Sequence, residues 1–319
     1  MSRRQRHRVG LGLFIAAAVA SVCAAPLAAQ SIPLSPAAQA SGATITFEHG
    51  IEFVTVGAAG NAPYLGGPPD ESAFGRGRVD YQYRIGRFEV TSAQWVEFFN
   101  AAYDRPQAEW LPHLIPPDSG SWGGRLTTPN TPGGLRWTTT PASAMVPTGD
   151  ISWRMAAMYC NWLHNDKSTD RGAFLSGAYD VSTFGYFGNI FTDQFERSPG
   201  ARFFVPTLDE WLKAAHFDPN RFGPGQEGWW EYSITRDTRP LYGPPSIPTA
   251  EANAGFDPGA FSIPLGAYPT VQSPWGLLDA AGGTMEWQES VLTINGRHTR
   301  FVDGTFRGRF GVAGTFGIG

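Results

Sequence analysis

The chain has 319 residues with a formal net charge of −4, 16% charged residues and 13% aromatics, 11 of them tryptophan. That composition excludes a disordered chain, which is poor in aromatics, and a coiled coil, which is rich in Glu, Lys and Leu. Two cysteines are too few for a disulfide-stapled domain, and 39 glycines with 26 prolines describe a loop-rich globular protein. In chain order, Arg3, Arg4, Arg6 and Arg8 precede an almost uncharged run from Val9 to Ala25, and small residues end at Ala28 and Ala29. This pattern predicts a secretory signal over 1–29, cut near Ala29. The competing reading is a single membrane anchor, because the run is barely long enough to span a bilayer. Cleavage removes four arginines and no acid, taking the net charge to −8. No basic stripe remains for nucleic acid, and Cys160 is left as the one cysteine, so an internal disulfide is impossible.

Residues 30–43 (QSIPLSPAAQASGA) read as a flexible lead-in, and a folded domain is expected over 44–319. Ile45, Phe47, Ile51, Phe53, Val54 and Val56 predict two short strands, and the alternation over 81–85 a third. Three helices carry start signals. Thr91 and Gln94 form a capping box ahead of Trp95, Phe98, Phe99 and Ala102. Ser152 caps a stripe of Ala156, Tyr159, Cys160 and Leu163. Thr207 and Glu210 form a second capping box ahead of Trp211, Leu212 and Ala215, with Asp209 and Lys213 at i,i+4 spacing. The stretches 104–150, 165–205 and 218–275 lack periodicity yet carry Trp110, Trp122, Trp137, Trp229 and Trp230, so we expect loops pinned by aromatic packing. No repeat and no internal linker divides the chain, which predicts one domain.

Motifs with their own chemistry are sparse. Gly75-Arg76-Gly77 lacks the strand-to-helix context of a dinucleotide loop, and no P-loop or GxSxG is present. Glu109, Glu196 and Glu227 are scattered, which gives paired-carboxylate catalysis no support. His49, His113, His164, His216 and His298 show no metal-ligand spacing.

Four segments, in order, resemble the sulfatase-modifying factor (formylglycine-generating enzyme) family: residues 83–95 (YRIGRFEVTSAQW), 151–163 (ISWRMAAMYCNWL), 204–215 (FVPTLDEWLKAA) and 273–287 (SPWGLLDAAGGTMEW). The long insertions are similar to those of exported bacterial members. The resemblance implies an α+β, C-type-lectin-like single domain with a small twisted sheet, about three helices and much irregular chain. Oxidising members bind copper through two cysteines near the C-terminus, suited to Cu(I). No cysteine follows Cys160, which lies on a helix's apolar stripe, so no copper site is expected. The iron branch's extra histidine-bearing helical domain is also missing. Residues 300–306 (RFVDGTF) stand where the family has its RGGSW segment, and the closing segment is shortened or cut off.

The family's structural calcium carries over more readily. A first site would use the Asp279 and Glu286 carboxylates with the carbonyls of Gly282 and Thr284; a second would use Asn253, Asp257 and the carbonyls of Ala254 and Gly259. Mixed carboxylate and carbonyl oxygens suit Ca2+. The plainer alternative has Asp279 and Glu286 capping a solvated turn. The functional expectation is an exported, non-catalytic binding or surface protein, secreted, periplasmic or at the cell surface, with a protein or glycan ligand in the cell envelope. A formylglycine-type copper oxidase acting on a protein cysteine and a structural envelope component are the alternatives.

Overall fold

The capped, one-sided segments become the helices their periodicity predicts. In the computed structural model, which describes residues 11–17, 32–66, 73–103, 105–127, 136–188, 190–252, 263–282, 284–294, 297–303 and 314–316, α1 is Pro36–Ala40, α2 Ser92–Tyr103, α3 Trp153–His164, α4 Gly172–Leu175 and α5 Leu208–His216. Both capping boxes form. The Gln94 amide N–H donates to Thr91 Oγ1 while the Thr91 N–H donates to Gln94 Oε1 (3.3 and 3.0 Å), and Thr207 and Glu210 exchange the same pair of bonds (3.1 and 2.7 Å). Ser152 Oγ accepts from the Met155 N–H at 3.2 Å. The apolar stripes of α2 and α3 meet, with Trp95 stacked on Tyr159 at 5.2 Å and Phe98 edge-on to the same ring at 5.3 Å.

The described strands form two larger sheets and three two-stranded ribbons. The strands are β1 (Leu11–Gly12), β2 (Ala16–Ala17), β3 (Ile45–Glu48), β4 (Ile51–Val56) and β5 (Tyr83–Gly86) in the N-terminal part. The insertions contribute the ribbons β6 (Arg125–Leu126) with β7 (Trp137–Thr138) and β8 (Tyr186–Phe187) with β9 (Ile190–Phe191). Beyond them lie β10 (Phe203–Phe204), β11 (Phe217–Asp218), β12 (Gly228–Trp229), β13 (Met285–Ile294), β14 (Arg297–Asp303) and β15 (Gly314–Phe316). One sheet has the order β10-β2-β5-β4-β3 and the other β1-β13-β14-β15. A small mixed sheet system, few helices and long fixed loops make this an α+β fold of the C-type-lectin-like kind.

Tertiary contacts place three segments. Residues 11–17, inside the expected leader, supply β1 and β2, and Leu13, Phe14 and Ile15 between them are at most 1% exposed. β2 lies between β10 and β5, and the Gly86 and Val90 N–H groups donate to the carbonyls of Ile15 and Leu13 at 2.6 Å each. The 30–43 lead-in is fixed rather than flexible over its described part. Ser35 caps α1 and its N–H donates to Gln272 Oε1 at 2.9 Å, and Arg87 and Gln272 both donate to the Pro33 carbonyl. Asp209 and Lys213 do not pair. Asp209 instead accepts from Arg76 and from the Gly77 N–H (2.6 Å), while Lys213 turns inward and donates to the carbonyls of Ala58 and Val79. Burial with only carbonyl partners pulls the Lys213 ammonium down to about 8.

The long insertions are pinned as expected. Trp122 packs on Trp137 at 5.3 Å, and Trp229 packs edge-on against Phe217 at 5.2 Å. Gly77 needs its missing side chain there: at φ 87°, an added Cβ would fall 2.2 Å from the Trp229 ring. The Gly75-Arg76-Gly77 segment thus has a packing role. No described helix is long and apolar enough to cross a membrane.

Candidate functional site

Three regions hold the chemistry-bearing side chains. The first is the turn that enters β13. Asp279 sits in the left-handed region (φ 57°), and its Oδ2 accepts from the Gly266 N–H at 2.6 Å. Burial pushes its carboxyl up to about 6. Glu286 follows on β13, 1% exposed, and Thr284 is 4% exposed. Glu286 is inside, while Asp279 is half-buried. Gly282, at φ 85°, lets the backbone fold round between them.

Sequence reasoning missed a third acid here. Glu89, between β5 and α2, is 2% exposed and has no ion pair among the described residues. Burial raises it to about 7; the Thr284 and Glu286 side chains lower it and the Asp279 charge raises it further. Despite that proximity, Glu89 Oε2 and Thr284 Oγ1 have no well-directed hydrogen bond. A buried carboxylate oxygen without a donor costs desolvation free energy that a proton or a cation would offset. Among the described residues no three His, Cys, Asp or Glu side chains are disposed to hold a metal by themselves. A cation at this turn would therefore need backbone oxygens as well as carboxylates. Asn253, Ala254, Asp257 and Gly259 lie outside the described residues.

The second region is a cleft of about 640 Å3 at the N-terminus of α5, lined by Arg197, Glu289, Asp209 and Arg76 among others. Glu289 Oε1 accepts from Tyr179 Oη and the Arg197 N–H, both at 2.8 Å, and Oε2 accepts from Arg197 Nη1 at 3.2 Å. Burial raises Glu289 to about 7 against the pull of Arg197. Arg197 also donates to both oxygens of Glu210, which is fully buried, and lies 3.6 Å from the Phe204 ring centroid. Arg300, in the segment resembling RGGSW, is fully buried 3.7 Å from the Trp153 ring centroid, and donates to the carbonyls of Phe195, Gln194 and Glu289. These carboxylates are satisfied by guanidinium and hydroxyl donors, which makes the cluster a brace between α5, β13 and β14.

The third is Cys160, fully buried on α3, where burial pushes the thiol well above its ordinary value. The thiol is the wrong form for a ligand or nucleophile, both of which require thiolate. The histidines are dispersed. His164 Nδ1 accepts from the Arg202 N–H, His49 faces Asp166 at 3.4 Å, and His298 packs edge-on against Phe195 at 4.9 Å. His216 is fully buried with its ring against the Trp230 carbonyl, and burial lowers it to about 4.

No curated protein matches this chain, and no solved structure matches it. The model of the sulfatase-modifying factor enzyme 1-like domain, by contrast, matches residues 38–312, which takes in all three regions and every described helix except the first two residues of α1. The chain belongs to the sulfatase-modifying factor enzyme family.

Proposed function

We propose that this is an exported, non-catalytic binding or surface protein built on the sulfatase-modifying factor scaffold. The observation that carries the reading is Cys160. It is the one cysteine beyond the leader-like segment, and it is sealed in the core as a neutral thiol. Thiol-based copper chemistry on a substrate cysteine requires accessible thiolates, and this residue supplies none. The test is direct: incubate the purified chain with copper and a cysteine-containing sulfatase peptide, and look for the aldehyde by mass spectrometry. We expect unmodified peptide; turnover would establish the oxidase reading instead. Sedimentation that shows only higher assemblies would favour a structural envelope component.

The residues at the β13 turn fit a calcium ion. Asp279 and Glu286 would hold it with the Gly282 and Thr284 carbonyls, and Glu89 stands close enough to add charge. Hard oxygen donors in a buried, acidic pocket suit Ca2+, and its role there is to staple the turn that a disulfide-free domain otherwise leaves to packing.

A further inference from the structure

The most solvent-exposed tryptophan of the insertions lines a cleft with a cation that has no carboxylate partner among the described residues. Trp110 is 62% exposed, in contrast to Trp122 at 6% and Trp229 at 9%. It forms one wall of a cleft of about 360 Å3, with Tyr103, Leu111, Leu114 and Arg136 forming the rest and Ala102 the floor. The volume lies at the small end of ligand pockets, which run from about 300 Å3. The cleft is rigid. Tyr103 is stacked on Phe99 at 5.2 Å, and its hydroxyl donates to the Leu114 carbonyl at 3.0 Å, tying the loop to the end of α2. Arg136 immediately precedes β7, is exposed, and lies 5.4 Å from the Tyr103 ring centroid. Among the described residues it has no carboxylate partner, and the acid of the adjoining turn, Glu109, faces Arg105 at 3.9 Å.

We propose that this cleft binds an acidic sugar, a uronate residue of a glycan, with the pyranose's apolar face on Trp110 and its carboxylate on Arg136. The inference deepens the binding-protein reading and rests on it. An indole this exposed offers a flat face, not a hole for an apolar side chain, and a flat face bordered by a cation matches a ring with a carboxylate at its edge. An exposed aromatic with no catalytic neighbour and a wall held by internal hydrogen bonds costs little ordering on binding.

The test titrates the full chain with oligogalacturonate, with neutral galacto-oligosaccharide and poly-glutamate in parallel, following tryptophan emission and heat. We expect oligogalacturonate alone to bind, to blue-shift the emission, to weaken as salt rises, and to lose about tenfold or more in affinity in Trp110→Ala and in Arg136→Gln. Both side chains are exposed, so circular dichroism and the melting temperature should be unchanged. No binding, equal binding of the neutral sugar, binding of poly-glutamate instead, or binding indifferent to both substitutions would each overturn the proposal. None of these failures produces aldehyde in the copper assay, so they leave the non-catalytic reading standing; aldehyde formation removes that reading by itself.

Discussion

Phe14 offers the sharpest check on the architecture, because the same residues suit two fates. As part of a leader, residues 11–17 would leave the protein near Ala29; in the fold β2 lies inside one sheet and β1 at the edge of the other. Phe14 is fully buried in the apolar cluster that includes Val54, Ile85 and Trp211. Phe14→Ala should therefore cost about 3–5 kcal/mol of stability, the usual range for a buried phenylalanine with partial collapse of the cavity. Deleting 1–29 removes more. Leu13, Phe14 and Ile15 each bury at about 1.5–3 kcal/mol, and the two hydrogen bonds to Gly86 and Val90 add about 1 kcal/mol each, for roughly 6–11 kcal/mol in all. Set against a typical stability of about 5–15 kcal/mol, that loss leaves the truncated chain unfolded or close to it. Urea denaturation followed by far-UV circular dichroism, on the full chain, Phe14→Ala and the truncation, measures all three. A truncation that unfolds cooperatively at the full chain's midpoint, with Phe14→Ala unchanged, would refute the core placement and support cleavage near Ala29. N-terminal sequencing of exported protein gives the same decision from the other side.

Two further predictions concern charge. Chelator should lower the melting temperature of the protein purified with calcium, and Glu286→Gln should abolish that chelator sensitivity; no shift, together with no calcium in elemental analysis, would end the calcium proposal. His216, lowered to about 4 by burial from an ordinary value near 6.5, binds its proton in the unfolded state first. Its contribution is fully present above pH 6.5 and is lost as pH falls toward 4, on the order of 3 kcal/mol over that window. His216→Gln should flatten that part of the pH–stability curve measured by urea titration at pH 7 and pH 5, and an unchanged slope would show that another group carries it.

What the sequence disclosed and what it hid follow from the range of each interaction. Caps and stripes are local: Thr91 with Gln94, Ser152 with Met155, and Thr207 with Glu210 are three residues apart, so their chemistry is visible in a short window. The Asp209–Lys213 spacing is equally local, but such a pair forms only when both side chains look outward. Here α5 is buried nearly all round, and Arg76 and the Ala58 and Val79 carbonyls, far away in sequence, took the partners. The acidic turn was half legible, since Asp279 to Glu286 is one segment with a family likeness, while Glu89 reaches it only because β5 and α2 bring it there. Residues 11–17 pose a deeper ambiguity. An apolar, alanine-rich run is what a membrane-targeting segment and a buried strand both require, since each removes side chains from water, and hydropathy alone does not say which oily phase receives them. The pairing of Ala16 and Ala17 with β5 and β10 is a tertiary feature, and a strand's partners are never written in the strand itself.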